Sequence, residues 1–291
     1  MATVSIPGGV LGYDDSGTGR VVVLVHAGLA DRRMWDRQFA VLSRTHRTIR
    51  YDWRGYGGSS DLSAEVAHHE DLLALMNALE IESATLVGAS MGGCYALDAA
   101  LTQPGRVDGL VLVSAVFSGF AWPAESLAQT ENSARAAVPA ERLSRYAQRD
   151  LEPDPADVAA MAAANVALMV AGPGRSLDDL EPAVRDQALL MCADVFAREW
   201  SSPAFPERHL RPPAAGRLHE VSVPTLVVNG LCDLGGVQVA AGLLTEGIPG
   251  ARRLDLERTG HLAPVERPAE TSAAIDELLR STGALGPVLD A

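Results

Sequence analysis

The sequence predicts an α/β fold, in which a mostly parallel, doubly wound sheet of about eight strands carries helices on both faces. Short apolar runs alternate with helical patterns over two long regions of the chain. Residues 21–25 (Val-Val-Val-Leu-Val) are apolar at every position, which is typical of a strand that a parallel sheet buries on both faces. The alternation stops near Phe117 and resumes near Val221. A long segment is therefore inserted into the sheet.

The first half of the predicted sheet begins with a hairpin, because Pro7, Gly8 and Gly9 interrupt two short apolar stretches. Strands are predicted, in chain order, at residues 4–6, 10–13, 21–25, 47–51, 84–87 and 110–113. Helices are predicted between the later strands, at residues 33–42, 66–79 and 91–102.

Residues 118–220 carry helical patterns broken by prolines and no convincing strand. We call them the cap segment, because a helical insertion at this point of such a sheet would cover one of its edges. The sheet resumes with strands at residues 226–228 and 253–256, a last helix at 264–280 and a frayed tail at 280–291. The predicted organisation is thus a core of residues 1–117 and 221–291 with a cap at 118–220.

Charge and composition exclude several classes of partner. A formal net charge of −13 argues against nucleic acids and anionic membranes. No apolar run approaches the roughly 20 residues needed to span a bilayer, and the first residues lack the basic and apolar segments of a secretory signal. We therefore expect a cytoplasmic protein. Its three cysteines are scattered and imply no disulfide framework; the oligomeric state stays open, with a homodimer as one option.

The most informative motif is Gly88-x-Ser90-x-Gly92, between the predicted strand 84–87 and the predicted helix 91–102. In a nucleophile elbow a strand turns sharply into a helix and leaves one serine hydroxyl at the turn. The turn leaves no room for side chains on either flank, which explains the glycines. The pattern alone is weak evidence, but its place between a strand and a helix makes it specific.

A serine hydroxyl becomes a nucleophile only with a base nearby, which a third group orients. In the chain order associated with this elbow, the acid follows the serine and the histidine comes last. Asp233 follows the strand at 226–228, and His261 lies between the last strand and the last helix. Both would lie at the carboxyl edge of the sheet, where catalytic groups of such sheets collect.

Negative charge that develops on a substrate oxygen needs two backbone N–H donors. Met91, directly after the serine, should supply one of them. The other should come from Gly28 in the loop His26-Ala27-Gly28-Leu29, which we call the oxyanion loop. We expect His26 to order this loop.

Together these motifs resemble the α/β-hydrolase fold family, in its branch of small intracellular esterases, enol-lactonases and C–C bond hydrolases. The matching motifs, which lie in the family's order, are His26-x-Gly28, Asp52-x-Arg54-Gly55-x-Gly57-x-Ser59, Gly88-x-Ser90-x-Gly92, Gly230-x-x-Asp233 and Gly260-His261.

The resemblance assigns a role to each candidate residue. It implies that Ser90 is the nucleophile, His261 the general base and acid, and Asp233 the orienting carboxylate. Gly28 and Met91 would be the oxyanion donors. The chain departs from the family at Ala27, where the family usually has glycine.

The sequence thus predicts a serine hydrolase that cleaves an ester or lactone of a small, mainly apolar molecule through an acyl-Ser90 intermediate, with no cofactor and no metal. Two alternatives keep the same residues. One is a C–C bond hydrolase, lyase or cyclase that acts on a polyketide-like metabolite. The other is a ligand-binding regulator with slow turnover. The motifs do not separate these three.

Other polar residues are interpreted structurally. Asp52 and Arg54 are expected to brace loops, and His68 and His69 to lie at a solvated helix start. The spacing of His68 and His69 is not that of metal ligands.

Overall fold

The sheet has eight strands in the order β1-β2-β4-β3-β5-β6-β7-β8, in a computed structural model that describes residues 1–283. The strands are β1 (Ala2–Ile6), β2 (Gly9–Ser16), β3 (Val21–Val25), β4 (Arg47–Tyr51), β5 (Ala84–Ala89), β6 (Val107–Val113), β7 (Thr225–Gly230) and β8 (Arg252–Leu256). Strands β1 and β2 are antiparallel to their neighbours, and all other pairs are parallel. The predicted fold class, including the opening hairpin, is confirmed.

Helices cover both faces of the sheet, as expected of a doubly wound fold. The α-helices are α1 (Asp36–Leu42), α2 (His68–Ala78), α3 (Met91–Thr102), α4 (Ala124–Ala137), α5 (Ala140–Gln148), α6 (Pro155–Asn165), α7 (Pro182–Ser201), α8 (Gly235–Gly247), α9 (Ala263–Glu266) and α10 (Pro268–Gly283). Helix α10 continues three residues beyond the predicted end at Arg280. The rest of the predicted tail, residues 284–291, lies outside the described residues.

Two apolar clusters lie on opposite sides of the sheet, because successive side chains of a strand point to opposite faces. Val23 and Val25 of β3 belong to a cluster with residues of α2, α3 and α8. Val22 and Leu24 belong to a second cluster, which α10 shares. This explains why the strand is apolar at every position.

The segment between β6 and β7 contains α4 to α7 and a π-helix, Val166–Ala171. It has a small cluster of its own, where the rings of Tyr146 and Trp200 stack with centroids 4.2 Å apart. It also contributes Val166, Val170 and Met191 to the second cluster of the sheet. The cap segment therefore shares apolar packing with the core.

None of the helices formed by residues 1–283 combines the length and the apolar character needed to cross a membrane.

Candidate active site

Ser90 lies at the turn from β5 into α3, with φ 54° and ψ −122°. A positive φ is uncommon for a residue with a Cβ atom. The flanking glycines are required by space, because a Cβ on Gly88 would lie 2.3 Å from the carbonyl oxygen of Gly92. A Cβ on Gly92 would lie 2.2 Å from the carbonyl oxygen of His26. The chain therefore has the strand–turn–helix geometry that the motif predicts.

Asp233 and His261 are hydrogen-bonded to each other at the carboxyl ends of β7 and β8. Asp233 follows β7, His261 follows β8, and the distance from His261 Nδ1 to Asp233 Oδ2 is 2.7 Å. The side chains are 0% and 1% exposed. The other carboxylate oxygen, Oδ1, accepts from the Leu234 N–H at 2.7 Å. Since an ionised carboxylate only accepts hydrogen bonds, Nδ1 carries the proton and Nε2 keeps a free lone pair.

Glycines allow the loops that carry these two residues to pack closely. The Cys232 N–H donates to the Thr259 carbonyl at 2.8 Å. A Cβ on Gly230 would lie only 2.3 Å from the carbonyl oxygen of Gly260. The glycines of the Gly230-x-x-Asp233 and Gly260-His261 motifs therefore bring the acid and the base together.

The structure brings Ser90 to the same sheet edge as Asp233 and His261 without joining Ser90 Oγ to the imidazole. Within residues 1–283, His261 Nε2 is buried and has no hydrogen-bond partner. Strand β6 alone separates β5 from β7, so the backbones that carry Ser90 and Asp233 are about two strand spacings, or roughly 10 Å, apart. Hydrogen bonds of this kind are often long until substrate is bound.

The two predicted oxyanion donors lie beside the elbow. Met91 is the first residue of α3, so its N–H has no acceptor within the helix. Across the described part of the chain, the N–H groups of Met91 and Gly28 donate to no other residue. The positive end of the α3 dipole adds to the attraction for an anion. Ala27, the departure from the family pattern, is buried and donates its N–H to Met34 Sδ at 3.2 Å.

His26 holds the oxyanion loop to the loop after β4. Its Nε2 accepts from the Trp53 N–H at 3.1 Å, so Nδ1 carries the proton and donates to the Ala27 carbonyl at 2.9 Å. The ring stacks on Trp53 with centroids 4.2 Å apart. Burial lowers the pKa of His26, which keeps the imidazole neutral. The residue orders the loop, as expected.

The expectation for His68 and His69 is wrong, since both are buried, at 6% and 3% exposure. His68 packs against the rings of Trp53 and Tyr95, and burial lowers its pKa to about 3. Both residues are polar, so the sequence predicts that they are exposed, whereas the tertiary structure surrounds them with apolar side chains. A single sequence has no signal for this.

Asp52 and Arg54 brace loops, as predicted. Asp52 accepts from the Arg32 and Gly58 N–H groups at 2.9 and 2.7 Å. Arg54 makes a bidentate pair with Asp71, with distances of 2.7 and 2.8 Å. These charges fix the loop that follows β4, next to the oxyanion loop.

A cavity of about 250 Å³ lies beside the oxyanion loop, with Tyr56, His68 and Phe205 in its wall. It is connected with the site through Tyr56, whose hydroxyl lies 3.9 Å from the position of a Cβ on Gly28. A second groove, of about 540 Å³, runs along Phe120 and Val239 and is lined by none of the predicted catalytic residues. Neither space is lined by Ser90, Asp233 or His261, but the smaller cavity reaches the oxyanion loop through Tyr56.

Comparisons with known proteins agree with this geometry. The profile of the alpha/beta hydrolase fold family matches residues 20–268. A thermophilic esterase from Thermogutta terrifontis is 26% identical, with a TM-score of 0.73 over 97% of this chain and 98% of that one.

Among curated proteins, an epoxide hydrolase of Caballeronia sordidicola is 36% identical over 132 residues, 40% of each chain. The 3-oxoadipate enol-lactonase 1 of Acinetobacter baylyi is 38% identical over 78 residues, 26% of this chain and 29% of that protein. The chain thus matches two fifths or less of the length of these curated relatives. The family profile, by contrast, spans strands β3 to β8 and all the motifs quoted above: the chain belongs to the α/β-hydrolase fold family.

Proposed function

We propose that the protein is a serine hydrolase that cleaves an ester or lactone of a small, mainly apolar molecule. The observation that carries the proposal is the 2.7 Å bond between His261 Nδ1 and Asp233 Oδ2. It orients the imidazole so that the lone pair of Nε2 is available, at the sheet edge where the elbow presents Ser90. The esterases and lactonases among the similar proteins support the same class of reaction.

In the proposed reaction, Ser90 Oγ attacks the carbonyl carbon of the substrate while His261 Nε2 takes the hydroxyl proton. Asp233 stabilises the resulting imidazolium. The N–H groups of Gly28 and Met91 bind the oxyanion of the tetrahedral intermediate. The C–O bond to the leaving group then breaks, and the proton on Nε2 passes to the departing alkoxide. A water molecule repeats the sequence and releases the acid and free Ser90.

The cavity beside Tyr56 supports the small size of the proposed substrate. At about 250 Å³ it lies below the usual range for drug-sized ligands. Tyr56 and Phe205 give its wall an apolar part, and His68 adds a neutral imidazole. Charged side chains also line the cavity, namely Arg54, Arg149, Arg198, Glu199 and Glu207.

The decisive test is intact-mass analysis of the protein during reaction with p-nitrophenyl acetate. We expect an acetyl adduct on Ser90, rapid multiple turnover, and neither adduct nor turnover in Ser90→Ala. A stoichiometric burst without turnover would instead indicate the ligand-binding regulator. Consumption of a ketonic substrate with no adduct on any ester would indicate the C–C hydrolase, lyase or cyclase.

A further inference from the structure

The end of the π-helix in the cap segment lies directly against the loops that carry Asp233 and His261. The Met169 carbonyl accepts from the His261 N–H at 3.0 Å. A Cβ on Gly260 would lie 2.0 Å from the Val170 carbonyl oxygen, and a Cβ on Gly172 only 1.7 Å from that of Cys232. Backbone therefore packs on backbone here, with no side chain between the segment and the two loops.

Arg175 closes the end of this π-helix. The last carbonyl groups of a helix lack partners within it. Arg175 Nε donates to the Ala171 carbonyl, and Nη2 donates to the Val170 carbonyl at 3.0 Å. Together with the Met169–His261 bond, this satisfies three consecutive carbonyls at the end of the helix.

The same guanidinium is bound to both flanks of His261. Nη1 donates to the Arg258 carbonyl at 2.7 Å, three residues before His261. Nη1 and Nη2 each approach the Glu266 carboxylate to 3.2 Å, five residues after His261. The side chains of Arg175 and Glu266 are only 16% and 10% exposed. All three nitrogens of the guanidinium are thus used, in the fixed fork geometry of arginine.

We propose that Arg175 and Glu266 are positioning residues for His261, a role that rests on the proposed function. Neither residue touches the reacting atoms. Arg175 fixes the segment from Arg258 to Glu266 against the π-helix, and the Met169 carbonyl then fixes the backbone of His261 itself. We call the contacts of Arg175 with Glu266 and with the Arg258 carbonyl the clamp. Without the clamp, His261 shifts relative to Asp233 and Ser90, and small displacements of this kind reduce rates by about 10²-fold.

The variants Arg175→Lys, Arg175→Met and Glu266→Gln test the clamp. Each is compared with Arg208→Gln as the matched control, since Arg208 also ties the cap segment to the core, through Glu70 of α2, but contacts no residue near His261. We measure, as a function of pH, the rate at which a p-nitrophenyl phosphonate phosphonylates Ser90. In this reaction the Ser90 Oγ–P bond forms and p-nitrophenolate leaves. The low-field proton NMR signal of the His261 Nδ1 proton is recorded beside it.

We expect Arg175→Met and Glu266→Gln to lower kcat on p-nitrophenyl acetate and the phosphonylation rate by about 10²-fold, with KM nearly unchanged. The Nδ1 signal should broaden or shift, and the pH profile should change. Lysine keeps the charge but has three donors and no fork, so Arg175→Lys should restore only part of the rate. Arg208→Gln should retain wild-type values in all of these measurements.

Two outcomes overturn the clamp: wild-type phosphonylation in folded Glu266→Gln and Arg175→Lys, or a lower rate with the Nδ1 signal and pH profile unchanged. If Arg175→Met does not fold, those two milder variants still decide the question. Failure of the proposed function has a different result, because wild-type protein would then not be labelled at Ser90, whatever the state of the Nδ1 signal.

Discussion

Within residues 1–283, Asp233 makes two hydrogen bonds, one with each carboxylate oxygen, and these determine which nitrogen of His261 carries the proton. An amide at this position can present its NH₂ group to Nδ1, which then becomes the acceptor. The proton would move to Nε2, and the lone pair needed by Ser90 would be lost.

Asp233→Asn should therefore lower kcat on p-nitrophenyl acetate by about 10³–10⁴-fold, in line with the precedent for such triads. The free energy of unfolding should change little because the side chain keeps its shape. Steady-state kinetics and urea unfolding measure the two quantities. A variant that retains a tenth or more of wild-type kcat would exclude Asp233 as the orienting group.

Asp98 is another buried acid, on α3 eight residues after Ser90, and its hydrogen bonds are structural. Its Oδ1 accepts from Ser118 Oγ at 2.7 Å, and Ser118 Oγ accepts from the Ala214 N–H at 2.9 Å. These bonds join α3 to both ends of the cap segment. Asp98 Oδ2 is buried and has no partner among residues 1–283. Burial raises the pKa of Asp98 to about 6.

A pKa raised by folding means that the folded chain binds this proton more tightly than the unfolded chain. Stability is therefore lost as pH rises from about 4, the ordinary value, to about 6, and the cost persists above that. Asp98→Asn should raise the free energy of unfolding by about 1–3 kcal/mol at pH 7.5 and by almost nothing at pH 4.

Urea unfolding between pH 4 and 8 measures this difference, with Asp178→Asn as the control because Asp178 is 96% exposed. A stability difference between Asp98→Asn and wild type that is the same at every pH would contradict the assignment.

At the scale of elements, the strand–turn–helix unit from β5 to α3 depends on close packing against β3. Gly92 lies where a Cβ would meet carbonyl oxygens of His26 and Val25 at 2.2 and 2.5 Å. Since backbone cannot move aside as a flexible side chain can, α3 has to shift. The oxyanion loop would move with it.

Gly92→Ala should therefore destabilise the protein by about 1–3 kcal/mol or more and lower kcat through the oxyanion loop. The matched control is Gly242→Ala in α8, where nothing lies within 4 Å of the added Cβ. That change should stabilise the protein by about 0.5–1 kcal/mol. Thermal unfolding of both variants decides, and equal effects would contradict the steric argument.

The elements that the sequence predicts have a clear local pattern. The elements that it does not predict correctly differ for physical reasons. Helix α8 (Gly235–Gly247) was not predicted because it contains four glycines, which have a low helix propensity; it forms because Val237, Ala240 and Leu244 are buried. The helix predicted at 33–42 is divided into a 3₁₀ turn, Arg32–Trp35, and α1. The Asp31 side chain caps that turn by accepting from the Arg33 N–H.

The catalytic candidates were predictable because each lies in a short motif next to a strand end. The clamp was not, since Arg175 and Glu266 are 91 positions apart in sequence and belong to no motif. Their relationship arises from the way the π-helix packs on the core. A single sequence identifies such long-range pairs only when their local patterns are distinctive.

At the scale of the whole molecule, the cap segment and the sheet should unfold together. Val166, Val170 and Met191 of the cap segment belong to the same apolar cluster as Leu262 and Ile275 of the C-terminal region. An insertion that shares its core in this way is not expected to fold by itself.

We therefore expect one cooperative urea transition. Far-UV circular dichroism follows the whole chain, and the fluorescence difference between wild type and Trp200→Phe follows the cap segment, where Trp200 is 6% exposed. The two midpoints should coincide. If the fluorescence difference disappeared at a clearly lower urea concentration than the circular-dichroism signal, the cap segment would unfold separately.

The sheet ends at β1 on one side and β8 on the other. Strand β8 carries three exposed charged residues, Arg252, Arg253 and Asp255. Charged side chains at such a border discourage strand addition by a neighbouring molecule. Self-association by extension of the sheet across β8 into a continuous intermolecular ribbon is therefore disfavoured, and neutralising the two arginines should make the protein more prone to form fibrous aggregates.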